Sequence, residues 1–190
     1  MQDPYCYSDT HILKNKLGIT NRDELSVAER KIAYTRAREL MISPIKGKFD
    51  FKHLRAIHKY LFQDLYDWAG EVRTVDIAKG DIFCTVNFID ANADAIFTEL
   101  KNENYLNGLG AGQIAKRLAY YLCEINTLHP FREGNGRTQR EFIRQLAFQN
   151  DYFLSFKNIS SEEMVYASKA GLMRDYAPME ELIGRSLHPM

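Results

Sequence analysis

The sequence predicts an all-α domain carrying one small β-hairpin, and three observations support this. Apolar residues recur at three- and four-residue spacing in segment after segment, as helices with one buried face require. Strand-favouring residues gather in one place only, residues 72–88. Ser, Asp, Gly and Pro fall where helices of that spacing must start and stop.

Residues 1–7 read as an irregular arm, after which Asp9 caps a short helix that Gly18 stops. From about residue 23 to residue 41, Leu25, Ala28, Ile32, Ala33, Ala37, Leu40 and Met41 keep one face, and Ser43-Pro44 closes the helix. Asp50 caps the next one, whose stripe of Leu54, Ile57, Leu61 and Leu65 ends near Trp68, with Gly70 as the stop signal. In residues 72–88, Val72, Val75 and Ile77 and then Ile82, Phe83, Thr85, Val86 and Phe88 flank Lys79-Gly80-Asp81, which suits the tight turn of a hairpin. Helical spacing returns over residues 91–100, breaks at the glycines of residues 108–112, and resumes through Ile114, Leu118, Ala119, Leu122 and Ile125 in a helix expected to be central. Residues 136–150 form another helix with Phe142, Ile143, Leu146 and Ala147 inward; Ser160-x-x-Glu163 is a capping box, and a short helix follows Pro178.

The chain shows no internal repeat, and with 190 residues at 45% hydrophobic content it can bury one substantial core. We expect a single domain over residues 1–190, with its core at about 50–160. The 25 basic and 25 acidic residues cancel, so no overall field recruits nucleic acid or an anionic membrane, and neither is an expected partner. Cys6, Cys84 and Cys123 form no Cys-x-x-Cys pair and fit a reducing compartment. With no basic-apolar leader and no apolar run of about 18 residues, the expected location is the cytoplasm, and delivery into another cell by a specialised secretion machine stays open.

The specific chemistry lies in residues 129–140, His-Pro-Phe-Arg-Glu-Gly-Asn-Gly-Arg-Thr-Gln-Arg. Gly134-Asn135-Gly136 offers unhindered backbone N–H groups where the next helix begins, and a helix N-terminus favours phosphate. Arg137 and Arg140, three apart, project from one side of that helix and suit a polyphosphate tail. Glu133 beside the same amides would repel phosphate unless a divalent cation such as Mg2+ lay between them. His129, at a helix end four residues before Glu133, is placed to accept a proton from an attacking hydroxyl. Each part has a plainer reading: His129 as a helix-ending residue, the arginines as a solvated basic face, the glycines as an ordinary turn. Their concurrence within twelve residues weighs against all three. A helical module whose arginines grip nucleic-acid phosphates is the competing class, disfavoured by the neutral charge. His53, His58 and Cys123 lie on expected helices without a ligand-like constellation and read as structural.

The run resembles the Fic signature His-x-Phe-x-Asp/Glu-Gly-Asn-Gly-Arg-x-x-Arg, with every defined position filled, and the likeness extends over most of the chain. That resemblance implies a Fic fold and a protein adenylyltransferase that moves AMP from ATP onto a Tyr, Thr or Ser hydroxyl. It implies His129 as general base, Phe131 as the loop's core anchor and Glu133 as the Mg2+ ligand. Gly134, Asn135 and Gly136 would cradle phosphates, Arg137 would contact the β-phosphate region and Arg140 the γ-phosphate. Residues 72–88 correspond to the family's flap, which holds the target segment by strand addition, with Lys79 and Gly80 at its turn touching nucleotide or target. Related motifs transfer other groups, but the intact Glu133-Gly134-Asn135-Gly136 favours AMP. Many relatives are silenced by Ser/Thr-x-x-x-Glu-Gly/Asn; here Thr20 to Glu24 and Thr35 to Glu39 have the spacing but Leu follows both. The inhibitory glutamate is therefore expected from a separate small antitoxin-like protein, reaching Arg140.

Overall fold

The computed structural model describes residues 3–77 and 83–190. Among them seven helices run in order: α1 (Arg22–Ile42), α2 (Phe51–Phe62), α3 (Ile89–Asn102), α4 (Ala111–Leu128), α5 (Asn135–Gln149), α6 (Ser161–Leu172) and α7 (Ala177–Ser186). Local chemistry sets most of the starts. Asn21 caps α1 by accepting from the backbone N–H groups of Asp23 and Glu24, Asp50 accepts from that of His53 at 2.8 Å, and Ser160 and Glu163 close a full capping box.

α4 is the central helix. It packs against α3, α5, α6 and α7 and buries Ile114, Leu118, Ala119, Leu122 and Ile125. Gly171 lets α6 approach closely, since a Cβ there would stand 2.5 Å from the Cys123 Sγ on α4. α2 packs across α5, so the turn between α4 and α5 is held from both sides.

Three expectations change. Residues 9–17 form no helix: Tyr7 N donates to Ile12 O at 2.9 Å and Lys14 N to Tyr5 O at 2.8 Å, and Asp9 takes a left-handed φ of 58°, so the backbone groups a helix needs are spent across the loop. α2 stops at Phe62 rather than near Trp68, because Lys16 N takes the Leu65 carbonyl at 2.8 Å and the chain turns through Gly70 at φ 87°. Among the described residues, 72–77 and 83–88 form no strand, and Val86–Phe88 is a 3-10 turn. The two arms instead send carbonyls to a shared side chain, Arg73. The Lys79-Gly80 turn lies outside the described residues. The two-stranded antiparallel sheet joins β1 (Tyr152–Leu154) to β2 (Leu187–Pro189).

Candidate active site

The site grows from the end of α4. Its last backbone turn closes with His129 N donating to Ile125 O at 3.1 Å, and His129 takes a left-handed φ of 45°, which carries the imidazole off the helix axis. The ring is buried, its Nδ1 donates to Asn126 O at 3.1 Å, and the Phe83 ring stacks on it at 3.8 Å between centroids. A carbonyl can only accept, so the neutral ring carries its proton on Nδ1 and its lone pair on Nε2.

Phe131 follows as the anchor. It is 1% exposed and stacks at 3.8 Å on His58, whose Nε2 donates to Glu133 O at 3.0 Å while Gly70 N donates to its Nδ1 at 2.8 Å. Burial pushes His58 down to about 4, opposed by the Glu133 carbonyl and reinforced by Arg137, so the ring stays neutral and ties the loop at Glu133 to the turn at Gly70. A histidine that reads as structural is therefore a strut of the site.

His58 has a consequence for stability. The unfolded chain takes up a proton near 6.5 that the folded chain refuses until about 4, so stability should fall as pH drops through that interval, by up to about 3 kcal/mol. His53, also pushed down by burial, adds in the same direction. Urea midpoints between pH 7 and 4 should fall less steeply in His58→Gln than in the wild type; equal slopes would refute the assignment.

The turn then enters α5. Gly134 sits at φ 83°, and a Cβ there would lie 2.4 Å from the Phe62 ring, so only glycine fits. Gly134 N donates to Glu133 Oε1 at 2.9 Å, which holds that carboxylate over the helix start. The Asn135 side chain braces the loop, its Oδ1 accepting from Phe131 N at 2.9 Å and its Nδ2 donating to Phe131 O at 2.7 Å, while its backbone N–H lies on the first turn of α5. Asn135, Gly136 and Arg137 occupy the first turn of α5, where backbone N–H groups lack intrahelical acceptors.

The two arginines differ. Arg137 donates to Glu29 Oε1 of α1, lies 3.9 Å from Glu133 Oε1 and sits 4.7 Å above the Phe62 ring. Tyr66 donates its hydroxyl to the other oxygen of Glu29. Arg140 has no hydrogen-bonding or carboxylate partner among the described residues, and burial followed by repulsion from Arg137 pushes its guanidinium below the ordinary arginine value. Its Nη1 lies 3.2 Å from where a Cβ on Gly136 would stand, so it overhangs the first turn of α5. Arg144 is held by Glu141 and Leu40 O, and Arg132 by Asp3. Lys79 and Gly80 lie outside the described residues.

Three residues the motif does not contain complete the site. Arg73 ties down the His129 carbonyl, Phe83 covers the imidazole, and Glu29 holds Arg137. Only Glu29 leaves a trace in the sequence, as a carboxylate between Leu25 and Ala33 on the inward stripe of α1.

Fold and site together define a helical domain with an imidazole beside the N-terminus of a helix that carries two arginines. The sequence model of the Fic/DOC family matches residues 48–147, and the chain belongs to that family. Protein adenylyltransferase VbhT of Bartonella schoenbuchensis is 42% identical over 186 residues, covering 97% of this chain but 39% of VbhT. The probable protein adenylyltransferase Fic of Escherichia coli K12 is 39% identical over 97% of this chain and 92% of its own length. The chain thus spans well under half of one relative and nearly all of the other. Among solved structures, the N-terminal Fic domain of a Bartonella quintana effector with bound ADP superposes with a TM-score of 0.92 at 32% identity, covering 98% of this chain and 95% of that one. BepC of Bartonella tribocorum, with bound AMPPNP, gives 0.93 at 26% identity over 98% and 97% of the two chains.

Proposed function

We propose that this chain transfers AMP from ATP to a Tyr, Thr or Ser hydroxyl of another protein. The observation that supports this most is Arg140, a guanidinium with no hydrogen-bonding or carboxylate partner among the described residues, overhanging the first turn of α5 next to an imidazole with Nδ1 already engaged. That arrangement suits a triphosphate whose first phosphorus faces His129. The target hydroxyl attacks that phosphorus, its proton passes to His129 Nε2, the new O–P bond forms and the bond to the β-phosphate oxygen breaks, releasing pyrophosphate. The chain's own residues position and neutralise, as phosphoryl chemistry requires.

Glu133 is the residue that would hold Mg2+, which supplies charge neutralisation between carboxylate and phosphates when bound. The donor set fits, since Glu133 Oε1 accepts from Gly134 N at the start of α5, and Mg2+ commonly takes one or two carboxylates with phosphate oxygens and waters. The target segment would lie along the arms 72–77 and 83–88, and Lys79 and Gly80, outside the described residues, are the flap positions expected to touch nucleotide or target. Label from ATP marked at the α-phosphate should appear on a protein in cell lysate with the wild type and not with His129→Ala. Label arriving only from the γ-phosphate would make this a kinase.

The same reading includes inhibition in trans. A cavity of about 420 Å³ opens beside Arg140, with Ala33, Tyr34, Ala37 and Leu61 as apolar wall and Arg30 and Arg144 as further cations. It suits an amphipathic helix bearing a glutamate from a small antitoxin-like protein. The α1 glutamates at the inhibitory spacing are turned elsewhere: Glu24 is exposed, and Glu39 pairs with Arg36 and Tyr60. An excess of such a partner should suppress labelling.

A cytoplasmic site of action, or delivery by a secretion machine, belongs to this proposal. Cys6, Cys84 and Cys123 are free thiols, and among the described residues no helix is long and apolar enough to cross a membrane. BepC is described as a VirB-translocated effector.

A further inference from the structure

Arg73 has the largest fully buried side chain among the described residues, 1% exposed. Burying a cation is costly unless its donors are matched, and here the match is made almost entirely by backbone. Nε donates to His129 O at 2.8 Å, Nη1 to Val75 O at 2.8 Å, and Nη2 to Cys84 O. Its own backbone N–H donates to Pro130 O at 2.9 Å. The Asp76 carboxylate stands 3.6 Å from Nη1 and accepts from Val86 N at 2.8 Å, so it links the same two arms. Cys84 N donates to Thr127 O at 3.0 Å, joining the second arm to the end of α4.

The three carbonyls that meet on this side chain come from three stretches of chain. One belongs to the turn that carries the imidazole, one to the arm before the flap turn and one to the arm after it. A guanidinium is a rigid planar fork, so acceptors bound to its edges have fixed separations. None of its bonds reaches the first-turn amides of α5 or Arg140. The anion hole and the flap are therefore braced by different residues.

We propose that Arg73 is a positioning residue that sets the gap between the His129 imidazole and the two flap arms, and so decides where a target hydroxyl meets Nε2. This rests on the AMP-transfer reading above for its catalytic consequence, though not for its structural one. Lysine keeps the charge but offers its donors from a single nitrogen and cannot hold all three carbonyls in one plane. Methionine removes charge and donors together.

The test compares wild type, Arg73→Lys and Arg73→Met in three measurements. AMPPNP binding by calorimetry should stay within about threefold of wild type in Arg73→Lys. Labelling of lysate protein from α-labelled ATP should fall about 100-fold, through kcat and not through the KM for ATP. Hydrogen exchange at the Cys84 and Val86 amides should accelerate at least tenfold, while the α5 helix amides keep their protection. In Arg73→Met the loss of labelling should be at least as large, with folding checked by thermal melting. Wild-type labelling in Arg73→Lys, unchanged protection of Cys84 and Val86, or AMPPNP binding lost in step with transfer would each overturn the proposal. If the wild type labels nothing, the AMP-transfer reading fails, while the exchange measurement still decides whether Arg73 holds the arms.

Discussion

Replacing His129 with alanine should lower AMP transfer by about 10² to 10⁴-fold while leaving ATP bound with nearly its wild-type affinity. The size follows from the role: a positioned general base contributes that range, and no neighbouring group of the loop offers an imidazole lone pair in its place. The selectivity follows from geometry. On the proposed reading the α5 amides and Arg140 would hold the anion, whereas the His129 side chain engages Asn126 O and the Phe83 ring. Its backbone bonds, from His129 N to Ile125 O and from Arg73 Nε to His129 O, do not involve the ring and survive the substitution. The checking measurements are initial rates of label transfer from α-labelled ATP beside calorimetric AMPPNP binding. Transfer persisting within threefold of wild type would remove the imidazole from the reaction, and loss of binding in parallel would make it a phosphate ligand or a fold element.

Arg140→Met should change two properties in opposite senses. Nucleotide affinity should fall by about 10- to 100-fold, the effect of losing a charge-assisted hydrogen bond of about 1.5–3 kcal/mol. The ligand-free protein should melt higher by about 2–4 °C, corresponding to about 1 kcal/mol at this chain length. The reason is that the fold holds the Arg140 guanidinium in a desolvated place beside a second cation, Arg137, with no carboxylate paired to it among the described residues. A methionine fills much of the same volume without that charge. Sites shaped for a ligand commonly carry such strain until the ligand arrives. Lower melting together with unchanged AMPPNP binding would show instead that the side chain serves the fold. For Arg137, already paired with Glu29, substitution should lower stability as well as affinity, so the two arginines are separable by melting alone.

The expectations that held were those governed by neighbours in sequence. Asp50, Ser160 and Glu163 cap the helices they were expected to cap, because a cap joins groups two or three residues apart. The twelve residues from His129 to Arg140 form one turn and one helix start for the same reason. The failures were decided by backbone contacts that spacing does not record. Residues 9–17 lie between a capping Asp9 and a stopping Gly18 but are pinned by bonds across their own loop and to Leu65. Residues 83–88 look like a strand, yet their backbone is claimed by Arg73, Asp76 and Thr127.

By itself the sequence determined that this is a helical domain, where its helix caps lie, and which dozen residues carry an imidazole, a carboxylate, bare amides and two cations. Those features depend on residue type and short spacing. Tertiary structure decided which arginine is paired with Glu29, which carbonyl the His129 ring meets, and which buried arginine holds the arms 72–77 and 83–88 to the turn that carries His129. Each of these is settled by carbonyls and carboxylates brought together from positions 29, 75, 84, 126 and 129 of the chain, and no local pattern records where such groups converge.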